Sequence, residues 1–156
     1  MSGNKNIFLI GMIAVVLLGC QTKQLFEQST IYSDHKWASK QVNEYQFQIN
    51  DSTVPYQVYF VIRHHNAYHY KNIWIQLKTT APNDSVSKQS VNLNLADDIK
   101  GWFGTGMDDL YDQRIPINNE PVYFKKGLYK FALSHTMRED PLDNILSTGI
   151  RVEKAK

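Results

Sequence analysis

The chain has 156 residues, a formal net charge of +2 and one cysteine. Its 17 basic and 15 acidic residues form no charged block, which argues against nucleic acid and anionic lipid as partners. A single cysteine also excludes an intramolecular disulfide.

The first feature in chain order is a run of twelve residues, 7–18, without a polar side chain. A helix of twelve residues spans about 18 Å, well short of the ~30 Å hydrocarbon core of a bilayer. The run ends in Leu17-Leu18-Gly19-Cys20, which resembles the bacterial lipobox, where the cysteine is acylated and the preceding bond is cleaved. The sequence therefore predicts a lipoprotein signal peptide over 1–19 and lipidation of Cys20. The alternative is a signal anchor with an incidental cysteine.

Residues 20–40 are polar with scattered apolar positions, and we interpret them as a lipid-anchored tether with a loose first element. Gln21 stands where an aspartate retains many Gram-negative lipoproteins at the inner membrane. Residues 21–24 lack the acidic cluster that directs lipoproteins of the Bacteroidetes to the cell surface. The expected location is the outer membrane, facing the periplasm.

Residues 41–156 show a hydrophobic period of two in several short runs, and no sustained period of 3.6. We expect six to eight strands in one all-β domain, an antiparallel β-sandwich of Greek-key or jelly-roll type. The expected inward residues are Tyr45, Phe47, Ile49, Tyr56, Val58, Phe60, Ile62, Ile73, Ile75, Leu77, Val91, Leu93, Leu95, Tyr129, Phe131, Leu133, Ile150 and Val152. Residues 140–145 are predicted to form one helical turn with Asp140 as its N-cap.

Two stretches contain residue types that bind metal ions. His64, His65 and His69 lie in a predicted hairpin connection, but the adjacent pair would point to opposite faces of a strand, which disfavours zinc over a solvated loop. Asp97, Asp98, Asp108, Asp109 and Asp112 surround three glycines and Trp102. Their spacing is not that of an EF-hand, so we favour a structural or partner-binding loop over a calcium site.

No catalytic motif is found, and the sequence predicts neither an enzyme nor a cofactor. His135, Arg138, Glu139 and Asp140 offer acid, base and cation but no nucleophile with an orienting partner. Local ion pairing explains this group better than catalysis does. A rival interpretation is a carbohydrate-binding module with Tyr59, Tyr70 and Trp74 as an aromatic platform.

The stretches "NLADDIKGWFGTGMDDLYDQRIPI" and "GLYKFALSHTMREDPLDNILSTGIRVEK", together with the lipobox cysteine, resemble the gliding-motility lipoprotein GldH family of the Bacteroidetes. Positions that match the family pattern include Asp97, Gly101, Trp102, Gly104, Gly106, Asp109 and Tyr111 in the first stretch. In the second stretch they include Met137, Arg138, Asp140, Leu142, Ile145, Gly149, Arg151, Val152 and Glu153. The Ile99-Lys100 pair departs from it.

The resemblance implies an outer-membrane lipoprotein of the gliding machinery, which is linked to type IX secretion. It implies a non-enzymatic scaffold or stabiliser that contacts other gliding lipoproteins and envelope proteins, with no small-molecule substrate. From the residues, the candidate contact points are the loop with Trp102 and Tyr111 and the turn with Arg138 and Asp140.

Overall fold

The computed structural model describes residues 24–155. The predicted signal peptide and Cys20 lie outside the described residues. Between residues 24 and 155 there is no helix with the length and apolar character needed to cross a bilayer.

The described chain is built from thirteen β-strands, of which eight have seven or more residues. In chain order they are β1 (Gln24–Ile31), β2 (Lys36–Trp37), β3 (Asn43–Ile49), β4 (Tyr56–His65), β5 (Asn72–Thr80), β6 (Val86–Asn94), β7 (Ala96–Asp97), β8 (Gly101–Trp102), β9 (Thr105–Met107), β10 (Leu110–Pro116), β11 (Gly127–His135), β12 (Leu142–Asp143) and β13 (Ile145–Lys154).

Two antiparallel sheets contain all the long strands. The larger sheet has the order β1-β13-β4-β10-β9, and the smaller has the order β3-β11-β5-β6. Two short pairs, β2 with β12 and β7 with β8, and an isolated bridge between Tyr56 and Val122 complete the pairing in the described region. The predicted all-β antiparallel sandwich is confirmed.

The core lies between the sheets and is formed by the alternate residues of the long strands. The strand β3 shows the rule in its simplest form, because its odd-numbered residues from Asn43 to Ile49 are buried and its even-numbered ones are exposed. Seventeen of the eighteen predicted inward residues are buried, and Val91 packs against the core while partly exposed. Burial of such side chains contributes about 1.5–3 kcal/mol each, which makes this alternation the main determinant of the fold.

Three expectations about local structure differ from the observed chain. The loose first element within 20–40 is instead β1, which pairs with β13 from Gln24 to Ile31, and β2 follows it. Residues 140–145 contain β12 and no helical turn, because Asp140 accepts hydrogen bonds from Ser39 rather than capping a helix. The segment after β4 is not a hairpin, since it carries the chain from the larger sheet to the smaller one.

The sandwich has two ends that matter for function. At the proximal end, where β1 begins, Gln24 pairs with Glu153 and Glu153 pairs with Gln57 near the start of β4. At the distal end, β4 and β11 finish and β5 begins. A strand of ten residues rises about 33 Å, so the two ends are separated by roughly 30 Å.

Candidate partner-binding surface

A surface hollow of about 580 Å³ lies at the distal end of the smaller sheet. We call it the Trp74 hollow, and it is lined by Tyr70, Asn72, Trp74, Thr136, Met137 and Arg138. Asn72 and Trp74 occupy outward positions of β5, and the other side of the hollow is the segment that follows β11.

Backbone contacts hold the two walls of the hollow together. Thr136 N donates a hydrogen bond to Trp74 O at 2.9 Å, and Trp74 N donates to Met137 Sδ at 3.2 Å. The Trp74 ring therefore has a fixed support although 42% of the residue is exposed.

Charge in the hollow is distributed unevenly. Tyr70 donates a hydrogen bond to the carboxylate of Glu139, which lowers the pKa of Glu139 and raises that of Tyr70. Glu139 Oε2 also lies 3.2 Å from His69 Nδ1. Arg138 is exposed and makes no hydrogen bond or ion pair within residues 24–155. The hollow thus presents an unpaired cation beside two aromatic rings, while its neighbouring acid is already engaged.

Trp102 and Tyr111 come together, as the predicted contact loop requires, but they pack inward. The Trp102 ring lies 4.6 Å from the ring of His64 and 6.1 Å from that of Tyr111, measured between centroids. Tyr68 lies 6.3 Å from Trp102. This aromatic cluster holds the segment from β8 to β10 against the end of β4. Trp102 is therefore half-buried and packs against other rings of the domain.

His64 at the centre of the cluster is buried and neutral. Its Nδ1 lies 2.9 Å from His65 O, so Nδ1 carries the proton and donates, while Nε2 accepts from Gln113 Nε2 at 3.0 Å. Gln113 Nε2 also donates to Leu95 O at 3.0 Å. Burial lowers the pKa of His64, because a charged imidazole would lose its hydration there. The Gln113 side chain on β10 thus links β4, through His64, to Leu95 between β6 and β7.

Arg138 and Asp140, predicted as one contact turn, have different surroundings. Asp140 accepts hydrogen bonds from Ser39 N at 2.7 Å and Ser39 Oγ at 2.6 Å. These bonds lower the pKa of Asp140. Asp140 therefore connects the segment after β11 to the segment after β2, and Arg138 alone faces the hollow.

The three histidines of the fourth strand and its following loop do not converge. His64 is buried, His65 lies on the opposite face of β4, and His69 contacts Glu139. Among the residues that the structure describes, no group of three or more histidine, cysteine or acidic side chains is placed to hold a metal ion.

Four of the five aspartates of the 97–112 stretch are bound separately, and the fifth, Asp108, is exposed. Asp97 Oδ1 accepts hydrogen bonds from the backbone N–H groups of residues 99 and 100, and Asp98 forms an ion pair with Lys71. Asp109 accepts a hydrogen bond from Asn66 Nδ2 at 2.7 Å, and Asp112 binds Arg63 through both carboxylate oxygens. The stretch is not one irregular loop, since it contains the short strands β7, β8 and β9.

The three-ring sugar platform is wrong as a continuous surface. Tyr70 and Trp74 share the hollow, but Tyr59 lies on β4 in the larger sheet, where it pairs with Arg151 and Pro116. Asn72 and Thr136 are lining residues that sequence reasoning missed. The period of two along β5 places Asn72 beside Trp74, but no pattern joins Thr136 to them.

These observations define a class: an all-β sandwich in which the described side chains form an exposed aromatic and cationic hollow, and in which no described group of histidine, cysteine or acidic side chains is placed to hold a metal ion. The chain belongs to the GldH lipoprotein family, whose profile matches residues 24–152.

Two relatives cover almost the whole chain. The gliding motility lipoprotein GldH homolog of Christiangramia forsetii is 21% identical over 96% of this chain and 96% of its own length. The gliding motility lipoprotein GldH of Flavobacterium johnsoniae is 23% identical over 96% of this chain and 97% of its own length. Both are named as gliding motility lipoproteins, and neither name denotes an enzyme.

A solved structure of a carbohydrate-binding module specific for non-crystalline cellulose, CBM28, matches 82% of this chain and 70% of its own at 13% identity and a TM-score of 0.39. A likeness of that size carries no argument about sugar binding.

Proposed function

We propose that this protein is a lipoprotein of the outer membrane, anchored through acyl chains on Cys20 and facing the periplasm, that scaffolds or stabilises an envelope protein of the gliding machinery and its associated type IX secretion. Its role is non-enzymatic. Membership in a lipoprotein family and the names of the two relatives support a role in gliding motility. The lipobox supports the acyl anchor on Cys20.

The Trp74 hollow is the observation that carries the partner-binding role. Tryptophan, tyrosine and arginine are the residue types that dominate binding energy at protein interfaces, particularly where they sit on a rigid support. Tyr70, Trp74 and Arg138 occupy one hollow whose walls are joined by backbone contacts. Arg138 is available to pair with a partner carboxylate, since Glu139 is engaged by Tyr70.

Trp102, Tyr111 and Asp140 remain in the proposal as supports of this end rather than as contacts. Trp102→Ala would loosen the aromatic cluster and change the fold and the binding together. Arg138→Glu separates the two effects, because Arg138 is exposed and unpaired within the described residues.

The experiment is chemical crosslinking of a tagged, full-length protein in intact gliding cells, followed by affinity capture and mass spectrometry. Arg138→Glu should lower recovery of an envelope partner by at least about tenfold, as expected for loss of an interface hot spot. Lys88→Glu is the matched control, since it makes the same charge reversal at an exposed position of β6. Equal recovery by the two variants would exclude the hollow as the contact, and capture of no gliding or secretion protein by the unaltered chain would contradict the proposed role.

A further inference from the structure

The proximal end of the sandwich lies close to the predicted acyl chains. Four residue steps separate Cys20 from Gln24, and a fully extended chain spans at most about 3.6 Å per step. Cys20 therefore lies within about 14 Å of the first residue of β1. Since β1 is paired with β13 from Gln24 onward, no long tether separates the folded domain from the anchor.

The segment between β10 and β11 belongs to this same end. Tyr56 N donates to Val122 O at 2.8 Å, and Val122 N donates to Tyr56 O at 2.9 Å. Gln24, Glu153, Gln57 and this bridge follow one another across the sheet. With about 4.8 Å between neighbouring strands, Val122 lies some 15 Å from Gln24, at the same level.

This segment holds an aromatic side chain out in solvent. Phe124 is partly buried and packs against the core, with its ring centroid 4.8 Å from that of Tyr129 and 5.9 Å from that of Tyr56. Lys125 N donates to Tyr129 Oη at 3.1 Å. With the backbone fixed in this way, Val122 is left 38% exposed and Tyr123 69% exposed.

Two basic residues follow the exposed tyrosine in the chain. Lys125 and Lys126 are exposed and have no ion pair among residues 24–155, and Glu120 is the acid nearest to them in sequence. Lys154 lies 3.4 Å from Asp51, which offsets its charge. The sequence has no charged block and the charge here is small, but both lysines are exposed within three positions of the exposed Tyr123.

We infer that the proximal surface formed by Val122, Tyr123, Lys125 and Lys126 rests on the phospholipid head groups of the leaflet that holds the acyl chains. Tyrosine suits this interface because its ring is apolar and its hydroxyl group can stay hydrated. The aliphatic part of a lysine side chain lies along apolar surface while its ammonium group reaches the lipid phosphate. The short link to Cys20 raises the effective concentration of this surface at the bilayer, so a weak contact suffices. The inference rests on the proposed lipidation of Cys20.

The test uses the full-length lipoprotein in vesicles of phosphatidylethanolamine and phosphatidylglycerol. Because acylation consumes Cys20, Asn119→Cys supplies the one free thiol for an environment-sensitive fluorophore. Ile99→Cys is the matched control, at a 94% exposed position of the distal end. Lipids brominated near the head group should quench the probe at 119 severalfold more than the probe at 99. Adding Tyr123→Ser should reduce the quenching at 119 without changing flotation of the protein with the vesicles.

Equal quenching at the two positions, or quenching at 119 that is unchanged by Tyr123→Ser, would overturn the membrane contact while leaving the anchor intact. Protein that fails to float with the vesicles would overturn the anchoring as well as the contact. A probe at 119 that is shielded only when peptidoglycan is added would assign this surface to the cell wall and refute the lipid contact.

Discussion

Gly149 offers a direct test of the pairing between β1 and β13. Its backbone lies between Ser29 of β1 and Val61 of β4. A β-carbon added at Gly149 would overlap Gln28 O and Ser29 Oγ and would lie 2.8 Å from Ser29 Cα. Two of these three atoms belong to the backbone, so a change of rotamer cannot relieve the overlap, and Gly149→Ala must push β1 away from β13.

The size of the effect follows from three contributions. Overpacking of this kind costs about 1–3 kcal/mol, and weakening two ladder hydrogen bonds adds about 0.5–1.5 kcal/mol each. Alanine recovers about 0.4–1 kcal/mol by restricting the unfolded chain. The expected net loss is about 2–4 kcal/mol in the free energy of unfolding. For a chain of this length it corresponds to a fall in Tm of about 5–15 °C.

The assay combines thermal unfolding of the purified lipoprotein in detergent with amide hydrogen exchange along β1. Gly101→Ala is the control, because Gly101 has φ +72° and no neighbouring atom within 4 Å of an added β-carbon. It should cost only the backbone strain of about 1–2 kcal/mol and leave exchange along β1 unchanged. The described register of β1 is wrong if the Tm of Gly149→Ala lies within about 2 °C of that of the unaltered protein. It is also wrong if the β1 amides of the variant stay protected from hydrogen exchange.

Three further predictions concern polar groups. Lowering the pH from about 7 to 5 should lower Tm, because burial holds the pKa of His64 and His135 below 6.5, so the unfolded chain takes up protons that the folded chain does not. The stabilisation is complete above the pKa that these histidines have in the unfolded chain, and it is lost as the pH falls towards their lower pKa in the folded chain. If the Tm of His64→Gln depends on pH as steeply as that of the unaltered protein, His64 is not a source of the pH dependence. Tyr32→Phe should cost about 1–3 kcal/mol in urea unfolding, since it removes a hydroxyl 2.6 Å from both Thr148 Oγ1 and Asn43 Nδ2 in the core; a loss no larger than that of an exposed Tyr123→Phe control would contradict that role. Calcium or EDTA should leave Tm unchanged, because four of the five aspartates of residues 97–112 are bound to separate partners, and a calcium-dependent rise would refute this.

Much of the sandwich was predictable because its long central strands alternate strictly. β4, β5 and β11 present an apolar residue at nearly every inward position, so the period of two is visible without a structure. In β4 the only polar residue at an inward position is His64, which ends the apolar series.

The strands that escaped prediction lack this pattern for physical reasons. β10 places Gln113 inward, and this buried amide serves His64 and Leu95 O rather than the apolar core. β1 is an edge strand whose Glu27 pairs with Arg151 and Arg114, so charge rather than apolar area fixes one of its faces. Propensity and periodicity do not register such partners, because they lie far away in sequence.

The candidate surface was only partly predictable for the same reason. Arg138 was identified from the sequence, but the aromatic residues of the hollow, Tyr70 and Trp74, lie more than sixty positions earlier, just before β5 and within it. Asp140 was grouped with it because the two are near neighbours in sequence, although the side chain of Asp140 turns to Ser39. Adjacency in sequence is a poor guide to shared surface in a turn, whereas antiparallel register across a sheet brings distant residues together.

The two proposed contact surfaces lie at opposite ends of the sandwich, and this constrains how a partner is met. The proximal end begins within about 14 Å of Cys20, so the proposed anchor holds it at the bilayer. The Trp74 hollow lies at the distal end, some 30 Å along the strands. With the proximal surface on the lipid head groups, as inferred above, the long strands lead away from the leaflet towards the hollow. In that arrangement a partner of the hollow would present its contact surface at that height above the leaflet, which favours an envelope protein with a periplasmic domain over one confined to the membrane plane.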